Sequence, residues 1–233
     1  MISDNFPVWR EVEKSKVWSV IKMTYENVYF INGTAYAGKS TMVKLLAEKY
    51  HGIACEENYH NRLLPELDKS DFPGLTYTRD LTDWHDFVRR TPDEYELWIN
   101  RTSKECEILE LKILSEMADT AQCIFVDTNI CVETLRKIAA PDHVVIMLAE
   151  PMVSVNRFFN RPDRDKQFLY QLMMEESDPN AALENFKQCL MRINSPEKYE
   201  TFRNSGFHVI MRDDSRTVEE TLTLVEKSFG LKR

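Results

Sequence analysis

One stretch of the chain has residue types and spacing that suit chemistry on an anion: Gly33-Thr34-Ala35-Tyr36-Ala37-Gly38-Lys39-Ser40, followed by Thr41. It fits G-x-x-x-x-G-K-[ST] at every fixed position. Each fixed residue has a physical reason. The two glycines let the backbone turn tightly, so that successive N–H groups face one point. A helix starting at the loop adds unpaired donors and positive potential. Lys39 supplies a point charge suited to β- and γ-phosphates, and the Ser40 hydroxyl can ligate Mg²⁺. The whole chain of 233 residues holds only six glycines, and two of them fall in this loop.

Asp127 follows the apolar run Ile124-Phe125-Val126. At the carboxyl end of a strand, a carboxylate can hold a Mg²⁺ shell or orient a hydroxyl nucleophile. A third element is Arg157-Phe158-Phe159-Asn160-Arg161-Pro162-Asp163-Arg164-Asp165-Lys166. Its arginines carry forks that grip phosphate oxygens two at a time. Pro162 interrupts a helix, so Arg161 and Arg164 are expected on a turn between helices.

With the loop, Asp127 and the Arg-rich segment together, the chain resembles the P-loop kinases of small molecules, the nucleoside and nucleotide kinase superfamily. The resemblance implies ATP and Mg²⁺ as cofactors, with Gly33, Thr34, Ala35, Tyr36, Ala37, Gly38, Lys39, Ser40 and Thr41 on the donor phosphates. It implies Ser40 and Asp127 at the metal. It also implies a lid over roughly 157–166 whose Arg157, Arg161 and Arg164 neutralise charge on the transferred group. Members of this superfamily often place an acid after the second strand, which here is Glu56 or Glu57. The segment that follows often recognises the acceptor. That makes Trp84 and Trp98 candidates for stacking a base, and Arg101 a candidate for holding a phosphate or base edge. The opposing reading places aromatics at helical spacing in a core, makes Asp127 a helix cap, and leaves the lid charges as a solvated turn.

The elements that must position these residues are legible as runs and caps. Val28 to Ile31, Cys123 to Val126, Val144 to Leu148 and Phe207 to Met211 read as buried strands, and Gly52 to Cys55 is a weaker fifth. They are continuously apolar rather than alternating, as parallel strands covered on both faces are. Thr41 to Tyr50 carries helical spacing, and Thr91-Pro92-Asp93-Glu94 and Thr217-Val218-Glu219-Glu220 are capping boxes. Ser195-Pro196 opens another helix. The expectation is a three-layer α/β/α domain over residues 1–233, with a mostly parallel sheet of about five strands and a helical acceptor-side insertion near 57–121. Val17 to Ile21 is either a strand or a helical turn.

Composition narrows the class. Asp and Glu number 38 against 30 Lys and Arg, a net charge of -8, which argues against a nucleic-acid groove but not against a small anion met by local donors. The cysteines are odd in number and widely spaced, with no C-x-x-C, so zinc and disulfide frameworks are not expected. No apolar stretch approaches the length of a membrane span, and the N-terminus is charged, so a soluble cytoplasmic protein without membrane partners is expected. Asp71-Phe72-Pro73-Gly74 spells D-x-x-G, but no strand precedes it and no N-K-x-D occurs, which disfavours a signalling GTPase. The chemistry expected is γ-phosphoryl transfer to a small acceptor, most naturally a nucleoside or nucleotide. The alternative is a regulatory protein that binds or hydrolyses a nucleotide. The acceptor's identity and the oligomeric state are not encoded in any motif.

Overall fold

In the computed structural model, residues 25–117, 120–160 and 163–231 are described. The ambiguous Val17 to Ile21, and also Arg161 and Pro162, lie outside them. The fold is α/β, with one sheet of five parallel strands in the order β2-β3-β1-β4-β5. The first strand, β1 (Val28–Gly33), runs into the loop and then into helix α1 (Lys39–Tyr50). Strand β2 (Ile53–Cys55) is the weak fifth strand of the sequence, and it lies at one edge.

Next comes the helical insertion: a 3-10 segment at Tyr59–Glu66, α2 (Pro73–Asp80), the short α3 (His85–Val88) and α4 (Pro92–Met117). The capping box opens α4 as expected, with Thr91 N donating to Glu94 Oε2 at 2.9 Å and Glu94 N to Thr91 Oγ1 at 3.3 Å. The chain then makes β3 (Ile124–Asp127), α5 (Val132–Ile138), β4 (Val144–Leu148) and α6 (Pro151–Arg157). After α7 (Arg164–Met174), α8 (Pro179–Ile193) and α9 (Pro196–Arg203) it closes with β5 (His208–Met211) and α10 (Val218–Ser228). Arg164 differs from expectation. It is the first residue of α7 rather than part of a turn, because the Asp163 side chain accepts from Asp165 N and Lys166 N and caps the helix there.

Both faces of the sheet are covered, which explains the unbroken apolar runs. Val28, Phe30, Ile124, Val126 and Ile146 pack with Leu111 and Leu114 of α4 and Leu135 of α5. Ile31, Phe125, Val145 and Met147 pack on the other face with Met42, Val43 and Leu46 of α1 and Val225 of α10. Each fully buried aliphatic or aromatic side chain of this kind contributes about 1.5–3 kcal/mol. A separate helical core gathers Phe87, Tyr95, Val155, Leu172 and Phe186 beyond the sheet. Among the described residues, no helix is long and apolar enough to cross a membrane.

β1 lies between β3 and β4, with Ile31 opposite Asp127 and Gly33 opposite Met147. At Gly33 the backbone meets β4 with no room for a side chain. A Cβ there would collide with the Met147 carbonyl, at a φ of +126°. Gly206 also has positive φ, at +83°, but faces open space. Gly206→Ala is therefore expected to lose roughly 1–2 kcal/mol, the backbone cost alone. Gly33→Ala should lose more than about 3 kcal/mol, as steric disruption of a core does. Thermal unfolding of the two variants checks this, and equal losses would contradict the close approach.

Candidate active site

The loop between β1 and α1 is tied to β4 on its outgoing side. Thr34 N donates to Met147 O at 3.0 Å, Thr34 Oγ1 donates to Ala149 O at 3.2 Å, and Ala149 N donates back to Thr34 Oγ1 at 2.7 Å. Asn32, almost fully buried, bridges to the neighbouring loop through Nδ2 to Ile130 O at 2.6 Å. The backbone is left-handed at Tyr36 and Gly38. Gly38 is the N-cap of α1, and it has no side chain to bond the first N–H groups of that helix. By contrast α7, α8, α9 and α10 are each capped by their own Asp163, Asp178, Ser195 and Thr217 side chains. The open donors of α1 are left for another acceptor.

The charged groups converge on that end. Lys39 Nζ donates to Thr34 O at 3.2 Å and stands 3.7 Å from Asp127 Oδ1. Ser40 Oγ donates to Asp127 Oδ2 at 2.7 Å. Lys39 and Ser40 open on a cavity of about 510 Å³, lined among others by Gly38, Thr41, Glu57, Arg157 and Lys166. Of the two glutamates after β2, Glu57 faces this cavity, while Glu56 makes an exposed ion pair with Lys44 at 2.9 Å. Arg157 lines the cavity and pairs with Asp214 at 3.2 Å. Arg164 is exposed and does not line it.

Three cavity residues, Asn160, Lys166 and Arg212, were not singled out from sequence as site residues. Lys166 stands 5.2 Å above the Tyr36 ring, and Arg212, just past β5, donates to the Tyr36 carbonyl. Arg212 directly follows a strand end, and Asp127 ends a strand; that position is the signal that could have found it.

The acceptor-side candidates divide. Trp84 packs in the helical core against Phe87 and Phe168, with ring centroids 5.6 and 5.7 Å apart. Trp98 and Arg101 line a second cavity that shares no residue with the first. Asp71 to Gly74 lies at the start of α2, where the buried Glu105 carboxylate accepts from Gly74 N and Leu75 N at 2.9 and 2.8 Å. Gly74 thereby has a structural reason, since a Cβ there would press on Glu105 and Thr102.

Behind Asp127, the fully buried Glu110 of α4 holds the chain that follows it. Its carboxylate accepts from Thr128 Oγ1 at 2.7 Å, Asn129 N at 2.9 Å and Asn129 Nδ2 at 2.8 Å. His60 Nδ1 lies 3.2 Å from Glu110 Oε1 without hydrogen-bond alignment, and His60 Nε2 lies 3.2 Å from Cys106 Sγ. Burial pushes the Cys106 thiol up to about 12, so it stays protonated. Sequence reasoning passed over Glu110, although a lone acid between Leu109 and Leu111 on an apolar helix face marks a buried carboxylate.

Burial pushes the Asp127 carboxyl above the usual carboxylate range; Lys39 and the Ser40 hydroxyl pull it back, while Glu57 and Glu110 add to the rise. A carboxyl whose folded pKa exceeds its unfolded one makes the folded chain bind more protons, so its contribution to stability falls as pH rises through that interval. Compared with known proteins, the chain matches no family model and no curated relative. Asp127→Asn is expected to keep or raise the melting temperature at pH 7, and the gap to the parent should narrow as pH falls and the parent carboxyl protonates. A drop of several degrees at pH 7 would show that Asp127 is a structural anchor instead.

Proposed function

We propose that the chain is an ATP- and Mg²⁺-dependent phosphotransferase that moves a γ-phosphoryl group to a small acceptor, in first place a nucleoside or nucleotide. The observation that carries this reading is convergence. The open N-terminus of α1, the Lys39 ammonium and the Ser40 hydroxyl meet in one cavity, Asp127 bonds Ser40 from behind it, and Glu57 lines the same space. A binder needs only the first three. A carboxylate across the cavity suits the further task of accepting a proton from an acceptor hydroxyl.

The donor groups fit the cofactors. Backbone N–H groups from Gly38 onward and Lys39 would hold the donor phosphates, with Arg157 and Lys166 meeting the charge on the transferred group. The Ser40 hydroxyl and Asp127 carboxylate are hard oxygen ligands. Among the described residues no group of three or more His, Cys, Asp and Glu is placed to hold a metal. The pair therefore suits a cation such as Mg²⁺, which takes few protein ligands and completes its shell with phosphate and water. Bound there, Mg²⁺ supplies charge neutralisation on the phosphate oxygens. The other lid arginine, Arg161, keeps the role the resemblance implies, while the exposed Arg164 would need the segment to move to reach the phosphates. The free cysteines suit a reducing cytoplasm.

Lys39→Ala should lower turnover about 10²-fold or more, the typical loss of a transition-state charge contact. Glu57→Gln should lower kcat by roughly 10²–10⁴ while nucleotide affinity is retained. A panel of nucleosides and nucleotides with γ-labelled ATP reads both, scored as transfer above hydrolysis. Hydrolysis without transfer across the panel supports the alternative, a regulatory nucleotide-binding protein. Undiminished turnover in Lys39→Ala removes both readings.

A further inference from the structure

The second cavity has a volume of about 430 Å³ and is bounded by the starts of α2 and α4 and by the end of α3. Its wall holds the Arg90 guanidinium, which sits 4.0 Å over the Tyr77 ring, 5.3 Å from Trp98 and 5.5 Å from Phe87. Aromatic faces stabilise a cation, but they do not take its N–H donors at full strength. Arg90 Nη1 is buried with no hydrogen-bond partner among the described residues.

The acids nearby do not supply one. Glu94 takes Thr91 N and Oγ1 on Oε2 at 2.9 Å each, and Arg90 acts on its charge without bonding to it. Arg89 takes Glu176 at 3.0 Å, and Asp86 is exposed and acts on Arg89. Arg101 makes no ion pair among the described residues, and its field reaches Glu105. Among the described residues no carboxylate lies within ion-pair distance of the Arg90 guanidinium, so this charge on the cavity wall has no direct counter-ion.

We propose that this cavity binds a small organic oxyanion, a phosphate ester or carboxylate on a flat apolar body, with the anion on Arg90. The planar fork matches an anion that offers two oxygens. The body has a surface to rest on. The Trp98 indole is fixed by its N–H to Gly74 O at 3.0 Å, and beside it Leu97 stands 65% exposed. The site is separate from the loop cavity. Glu110 touches the residues just past Asp127, and Trp98 lies twelve positions earlier on α4 (98 against 110), about 18 Å along the axis at ~1.5 Å per residue. A ligand here anchors or regulates rather than reacts, and the site stands whether or not the loop transfers phosphate.

The experiment is calorimetric titration of phenyl phosphate and of benzoate into the full chain carrying Lys39→Ala, which weakens anion binding at the loop. The expected result is binding of at least one probe, weaker at high salt. Arg90→Gln should weaken it tenfold or more, with Arg90→Lys in between, and the tighter probe distinguishes a phosphate from a carboxylate ligand. Leu97→Glu places a like charge at an exposed rim position without touching the core, and should also weaken binding several-fold; it decides the matter if Arg90→Gln does not fold. Absence of binding by both probes overturns the proposal. So does unchanged affinity in folded Arg90→Gln, or in Leu97→Glu where that variant decides.

Discussion

The close approach of β1 to β4 at Gly33 is the constraint on which the rest of the site depends. A strand that ends flush against its neighbour must release its chain upward, and Thr34 fixes the direction of release by bonding Met147 and Ala149 at once. From that fixed exit the loop has only a few residues to reverse before α1 begins. The left-handed turns at Tyr36 and Gly38 make the reversal. Lys39 and Ser40 then fall beside β3, whose last residue is Asp127. The interaction set is short in space but joins three adjacent strands, so rigidity comes from the sheet and not from the loop itself.

Electrostatics divides the molecule in two. At the sheet's carboxyl edge, Lys39, Arg157, Lys166 and Arg212 are gathered around one cavity, each within 4 Å of a carboxylate, Lys39 at 3.7 Å from Asp127. The helix start beneath it has no capping side chain. Elsewhere the chain is net acidic, and its surface arginines are largely paired, as Arg192 is with Asp93 and Glu96 at 2.9 and 2.7 Å. An overall charge of -8 therefore coexists with a local cluster of cationic side chains around the loop.

The layered architecture was legible because each layer leaves a local trace. Continuous apolar runs announced all five strands, and Thr91-Pro92-Asp93-Glu94 and Thr217 to Glu220 announced the starts of α4 and α10. The loop was legible for a related reason: two glycines and a lysine at fixed spacing encode a backbone shape. What stayed hidden depends on contacts between distant segments. Glu56 and Glu57 are indistinguishable in sequence, and only the direction of the chain after β2 sets Glu57 at the rim of the loop cavity. Trp84 and Trp98 look alike on a helical plot, yet one is locked among Phe87 and Phe168 and the other borders a cavity. Arg212 and Lys166 read as ordinary surface charge until β5 and α7 are placed. Arg164 was misplaced because Asp163 caps the helix one residue earlier than the proline break suggests.

The sheet order also sets when the loop acquires its shape. Thr34 is separated from Ala149 by 115 positions, and Tyr36 from Arg212 by 176. Contacts that distant are closed late and slowly, since chain entropy must be lost before they form. A ribosome-bound chain that has emerged only as far as β3 already contains every loop residue, yet lacks β4, the strand that directs them. The N-terminal motif is thus a late product of folding, and a chain stalled before β4 has the motif without its geometry.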